Sequence, residues 1–592
     1  MKKTFRKIIT LIICLYGVVA RGQDTEKSIY NTTKFKLKTF FKDGMQLSGG
    51  ISANQTYYKA WGDNRRSPFT HLYSGNINIG VLGKMNIPLS FSFTNQKATL
   101  NNPFSSGFPR MQPFNRMQLK PKYKGSTLYL GTSALNFSQY TLSGHRFNGI
   151  AYDYRSTKHP LYGTLMYGKL LNAIKVDSSM LGQNRPSYTR IGWAGKIGYK
   201  QKQDFVEFIY FQAKDKINTL PYRLDAYNIF PESNLVLGLN FQKILFNNLF
   251  IGTEISQTKI IYENFSIRKI WSDAIGLSNK NQNRRALKST IMYKSKISEH
   301  TLEYSRVDPL YRTHGGYFFN ADLETYAIKS ASHLMDEKLI LNADLGYQKD
   351  NLDGSKPQSS NRWVWTIDGN YIPSDKLNVS LNYSTFSNYS NFQNNFRYLT
   401  AILPYQELDT LNYRQINNNV SAMVVFQLPS SKQTKKNITL NSIYQSGNDK
   451  QGSYAVKNSL NNMTLSYGLL NETKKNNASI GLNFAKNQTN RSIESLFGPV
   501  TSCNGKIYKE KIDWNALLSY TYASNQIFEN YTKTSQSIFL GKIGMQSTIF
   551  EVHRLSFSAI FFKTTNNLKA PMDLTLNLGY IYQFKLPKSK KE

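Results

Sequence analysis

From Met572 to Phe584 the chain alternates strictly. Met572, Leu574, Leu576, Leu578, Tyr580, Tyr582 and Phe584 fall on one side, and Asp573, Thr575, Asn577, Gly579, Ile581 and Gln583 on the other. A period of two gathers apolar residues on one face only if the backbone is extended. The run is longer than the ~9–11 residues a tilted strand needs to cross a bilayer. Its aromatic residues crowd one end, where a membrane strand meets the interface.

The same pattern recurs upstream. Trp363, Trp365, Ile367, Gly369 and Tyr371 alternate with Arg362, Val364, Thr366, Asp368 and Asn370. Pro373-Ser374-Asp375 reads as a tight turn, after which Leu377, Val379, Leu381 and Tyr383 oppose Asn378, Ser380, Asn382 and Ser384. Leu339–Tyr347 and Ile191–Tyr199 repeat the motif. The reading is all-β: a transmembrane antiparallel β-barrel of about 26 strands (range roughly 24–28) beginning near Met45, with short periplasmic turns, long extracellular loops and no plug domain. Tight connectors are expected at Lys124-Gly125, Asn247-Asn248, Ser374-Asp375 and Lys509-Glu510. Long ones are expected at Gln96–Phe114, Val176–Thr189, Tyr262–Arg284 and Asn391–Asn412. With both termini on one side, every short turn is expected there and every long loop opposite. A strand over Phe497–Tyr508 is needed to keep that parity.

The N-terminus supplies a route to a membrane. Lys2, Lys3, Arg6 and Lys7 precede the apolar run Ile8–Val19, and Ala20-Arg21-Gly22 offers small residues where a signal peptidase reads. Cleavage is expected between Gly22 and Gln23. Cys14 lies within the apolar run with no small residues before it, so cleavage is read in preference to lipidation. The expected organisation is a signal peptide over 1–22, a short periplasmic segment over 23–44, the barrel over 45–584 and a basic periplasmic tail over 585–592. Export leaves Cys503 alone, which excludes an internal disulfide framework and a cysteine zinc site.

Aromatic residues make up 14% of the chain, with 39 Tyr and 35 Phe. Mean hydropathy is nevertheless −0.46. That combination suits a barrel, in which every second residue faces water. Net charge is +37, and taking away the five basic groups of residues 1–22 leaves +32. Such an excess points to an anionic lipid surface or an anionic solute, and export sets nucleic acid aside as a partner.

Few residues form a pattern that carries chemistry. None of the seven histidines stands in an HxxxH or HExxH arrangement, and His300 and Glu303 would face opposite sides of a strand. No metal or cofactor site is read. Gly447–Ser453 has P-loop glycine spacing but no lysine, and it is placed in an outer loop. Ser143 and His145 share a face of an extended chain, yet a nucleophile and base also need a third, orienting group. His145 is read as a loop-edge residue and the chain as a non-enzyme. What remains is a lumen lining. Lys196, Lys200, Asp344, Arg362, Asp368 and Asp573 oppose the apolar rows, and a Lys or Arg at mid-membrane would cost ~2–4 kcal/mol facing lipid.

Several stretches carry a family resemblance: Ser48–Gln55, Asn64–Pro68, Pro88–Phe93, Asn136–His145 and Asp409–Tyr413. In these the chain resembles a group of large, mostly uncharacterised outer-membrane barrels of the Bacteroidota. The last strand is likewise similar to the C-terminal signal strand of outer-membrane proteins, although a basic tail follows Phe584. The resemblance implies a barrel in the Gram-negative outer membrane and assigns no ligand residues. The expected activity is that of a channel or porin-like transporter for small, anionic solutes. The alternative is a non-conducting scaffold or partner of a secretion, assembly or surface-lipoprotein complex. Expected partners are outer-membrane lipid and lipopolysaccharide, and the barrel-assembly machinery during insertion.

Overall fold

The structure, a computed structural model, describes residues 44–586 apart from 62–66, 96–115, 156–157, 177–185, 228, 263–282, 318–319, 357–358, 360, 386–415, 432, 452–453, 509, 530 and 566–570. The expected cleavage site at Gly22 and Gln23, the segment 23–43 and the tail 587–592 lie outside these residues, as do the expected loops Gln96–Phe114 and Asn391–Asn412.

Alternating sequence becomes one antiparallel sheet of 27 segments in which each pairs with its chain neighbours. Arg116–Leu119 and Lys122–Tyr123 are two pieces of one strand. Both pieces lie between Met85–Thr94 and Ser126–Asn136, and they part at Lys120-Pro121, where proline has no N–H to give the ladder. The first strand, Met45–Trp61, pairs with the last, Met572–Leu586, from Leu47↔Leu586 to Trp61↔Met572. The sheet therefore closes as a 26-strand barrel with no free edge. At ~4.8 Å between strands and a tilt near ~40°, a circular barrel of this size is about 50 Å across between backbones.

Register follows the alternation. Leu165, Ile197, Ile480 and Leu578 point outward, each 57–65% exposed. Outward aromatics gather toward both rims: Tyr199, Tyr293 and Tyr371 toward the end that carries Met45 and Leu586, and Tyr326 and Trp363 toward the other. This is the apolar band between aromatic girdles that a lipid-spanning barrel requires. Tight turns at the terminus end use left-handed residues, including Lys124 (φ 50°), Asn247 (φ 62°) and Glu510 (φ 64°), which turns of two or three residues demand. Ser492–Ile507 is a full strand and keeps the parity.

Two loop expectations need correction. The far end carries the long connectors, but it also carries short ones: Gln451↔Tyr454 closes one hairpin and Thr489/Ser492 another. Gly447–Gln451 is thus strand rather than loop, because its backbone continues the ladder with Tyr454–Asn458. From this end residues 137–142 and 308–317 fold into the lumen.

Candidate functional site: a lumen filled on one side

Where a strand has lipid outside and water inside, its sequence alternates. Asp204–Lys216 does not: Phe208-Ile209-Tyr210-Phe211 is continuously apolar. Phe208 faces outward and is 60% exposed, whereas Ile209 and Phe211 face inward and are 3% and 0% exposed. The inward residues join Phe147, Met166, Leu170 and Val236 from neighbouring strands in a buried cluster, capped by Phe137 and Leu142. Strands buried on both faces read as unbroken apolar runs. That run is the signal in the sequence for a covered inner wall, one that a period of two does not pick out.

The cover is two segments zipped together. Ser143 donates its backbone N–H to the Gly315 carbonyl (2.8 Å). Tyr311 Oη donates to the Tyr140 carbonyl (2.7 Å) and Thr313 Oγ1 to that of Thr141 (2.9 Å). A Cβ on Gly315 would stand 2.5 Å from the Thr141 carbonyl oxygen, so only glycine allows this approach. The zipped pair is anchored to the wall: the Tyr140 N–H donates to Glu254 (3.0 Å), and the His314 N–H donates to Asn234 Oδ1 (2.9 Å).

Charge fixes the edge of this cover at the far end of the barrel, where Arg190, Asp215 and Glu232 stand at the strand tips. Arg190 grips Asp215 through both fork arms (2.7 and 2.8 Å) and lies 3.5 Å from Glu232. Arg312 reaches Glu232 at 2.6 Å, and His314 Nε2 stands 3.0 Å from the same carboxylate. Arg190 Nη1 is 2.8 Å from His314 Nδ1. Guanidinium nitrogens only donate, so Nδ1 accepts and the neutral ring carries its proton on Nε2. Burial lowers the His314 pKa, with Glu232 working against that shift.

Register places all six lysine, arginine and aspartate residues singled out from sequence on the inward face. They do not form one site. Lys196 is buried, paired with Glu207 (3.2 Å) and set over the Phe137 ring (5.4 Å). Glu207 also accepts from Tyr162 Oη (2.6 Å) and Asn240 (3.0 Å). Lys200 is exposed near the terminus-end turn, its N–H bonded to the Pro160 carbonyl. Asp344 lies 3.8 Å from Lys329, which with Lys288 clasps Glu303 (2.9 and 3.2 Å). Arg362 Nε donates to Gln348 (3.0 Å), Asp368 accepts from Asn382, and Asp573 sits opposite Phe562 and Ala60. Ser143 and His145 stand at the start of the strand Ser143–Arg155, beside the zipped cover. His145 stacks on Tyr317 (4.4 Å between rings), and its Nδ1 is 2.8 Å from the Arg146 carbonyl oxygen.

The opposite wall has a different chemistry. From Asn361–Ser374 round to the first two strands, the inward positions are mainly Asn, Ser and Thr. They pair across strands: Ser380 with Asn370 (2.9 Å), Gln445 with Asn419 (2.9 Å), Thr464 with Asn483 (2.8 Å), Ser479 with Ser502 (2.7 Å) and Thr56 with Asn577 (2.8 Å). Most of these inward side chains are half-buried, in contrast to the fully buried inner wall opposite. Among the described residues, no loop is hydrogen-bonded across this wall as 137–142 and 308–317 are across the other.

No protein-family profile matches this chain, and no curated protein matches it. Among solved structures, the translocation pore of the P pilus usher (PapC) aligns at 10% identity over 91% of this chain and 99% of its own, with a TM-score of 0.34. The FrpB iron transporter from Neisseria meningitidis (F5-1 variant) aligns at 10% identity over 91% and 82%, with a TM-score of 0.37. Acinetobacter baumannii OccAB2 aligns at 10% identity over 64% and 97%, with a TM-score of 0.28. Scores this low carry no argument about activity. The fold and the site rest on this chain's own register and contacts.

Proposed function

We propose that this protein is a channel of the Gram-negative outer membrane, passing small polar solutes along the Asn/Ser/Thr wall beside the filled sector. The observation that carries the reading is the asymmetry of the lumen. Barrels of 16–18 strands already leave an aqueous channel, and this one has 26 strands. One sector is closed by packed loops, while the described residues of the other present hydrogen-bonding groups to the interior.

Lys196, Lys288 and Lys329 do not make an anion path, because each has a carboxylate partner. Among the described residues, basic groups without a carboxylate partner stand around the terminus-end turns, among them Lys84, Lys124, Lys202 and Lys376, and Lys542 stands inward at mid-strand. Charge at a mouth raises the local anion concentration and is screened beyond ~10 Å at 0.1 M salt. A weak anion preference that fades with salt follows.

Planar-bilayer recording on the purified full chain tests this. Expected are stable conductance steps, and Asn483→Lys on the open wall should move the reversal potential in a salt gradient toward anion selectivity. Absence of conductance, together with recovery of a stoichiometric partner from native membranes, would replace the channel with the scaffold reading.

A further inference from the structure

We propose that the open wall contains a subsite for a neutral saccharide, centred on Asp368. The subsite rests on the channel reading for its role but not for its binding chemistry. Here the wall is concave, enclosing about 430 Å³. Two rows of directly opposed residues cross it. One runs Asn342, Asp368, Asn382, Ser421, and the other runs Ile340, Asn370, Ser380, Met423, Asn441. Five strands at ~4.8 Å spacing make the patch roughly 19 Å wide, room for several sugar rings laid across them.

The donor set selects the ligand class. Asp368 has no cation partner among the described residues, and no lysine or arginine lines the concavity. A phosphate or carboxylate would therefore meet an uncompensated negative charge. Asn382 already holds one Asp368 oxygen, which orients the carboxylate. The side chains of Asn342, Ser421 and Asn441 have no hydrogen-bond partner within the described protein. A carboxylate that only accepts, beside amides that both accept and donate, matches vicinal hydroxyls, each a donor and an acceptor. Ile340 and Met423 add apolar surface for the C–H face of a ring. Among the described lining residues there is no aromatic platform, so binding is weak and fast, as suits a solute in transit.

The test uses maltohexaose as probe and the full chain in a zwitterionic detergent without a sugar head group. Equilibrium dialysis should show saturable binding, weakened about tenfold or more by Asp368→Asn and by Asn441→Leu. Asn577→Leu, elsewhere on the same wall, should leave binding unchanged. In bilayers, maltohexaose should interrupt the current of the wild type and interrupt it less in the two weakened variants. Binding with this mutational pattern but no conductance supports the subsite and refutes the channel. Conductance without saturable binding, or equal binding by all variants, overturns the subsite. Equally tight binding of tetraglycine overturns the saccharide assignment.

Discussion

Asp215→Asn should release the inward cover while leaving the barrel wall intact. The substitution keeps the shape of the side chain and removes its charge, so the bidentate grip on Arg190 at 2.7 and 2.8 Å is lost. The Arg190 side chain is 16% exposed and that of Asp215 5%. Breaking a buried pair from one side costs ~3–5 kcal/mol, because the remaining charge stays buried without its partner. Glu232, 3.5 Å from Arg190, recovers part of this, so about 3 kcal/mol is expected. Closed strand ladders do not open for that sum. The loss falls on the least cooperative unit nearby, the zipped segments 137–142 and 308–317. Hydrogen exchange read by mass spectrometry should then speed up about 100-fold in peptides covering 311–317. Peptides from Asn283–Lys294 should not change. Exchange in 311–317 that rises less than about threefold would refute the assignment of the ion cluster as the lock. A double variant, Arg190→Met with Asp215→Leu, should recover most of the protection, since two apolar side chains leave no orphaned charge. If it exchanges as fast as the single variant, the pair is not the cause.

Other outcomes follow from the same contacts. His314 is held neutral and its pKa is lowered by burial, whereas the undocked ring takes a proton below about pH 6.5. The undocked state thus binds more protons as pH falls, so docking is strongest above about pH 6.5 and weakens toward the docked pKa. Exchange at 311–317, corrected for intrinsic rate, should rise between about pH 7 and 5 in the wild type and stay flat in His314→Gln. Gly315→Ala should part the two segments, because the added Cβ meets backbone rather than a movable side chain. Faster proteolysis at 308–317 with unchanged barrel circular dichroism would show it. Leu578→Arg places a charge on the lipid face at a cost of ~2–4 kcal/mol, while Asn577→Arg faces the lumen. Folding into lipid vesicles should be impaired by the first and not by the second, and equal yields would contradict the face assignment.

The strand pattern was legible because lipid and water impose opposite demands on successive residues. Met572–Phe584 and Trp363–Tyr371 announced their faces without any tertiary information, and the need for strand parity pointed to a strand at Phe497–Tyr508, which the structure shows over Ser492–Ile507. The inner cover was legible only as an anomaly, the unbroken run Phe208–Phe211. Alternation assumes a wet interior, and that assumption fails where a loop supplies an apolar roof. Placing Gly447–Gln451 in a loop failed for a related reason: a strand that rises above the membrane no longer needs apolar residues, so its sequence stops looking like a strand while its ladder continues.

By itself the sequence determined the extended backbone, the inward or outward sense of residues in the alternating strands and the antiparallel barrel class, since these follow from period two and local turn chemistry. Tertiary structure alone decided which inward residues meet. Arg190, Asp215, Glu232, Arg312 and His314 come from separate strands and a connector, and no spacing in the chain brings them together. Only closure of the barrel, which fixes the register of each strand against the next, turns such scattered side chains into a lock on one side of the lumen and a hydrogen-bonding wall rich in Asn, Ser and Thr on the other.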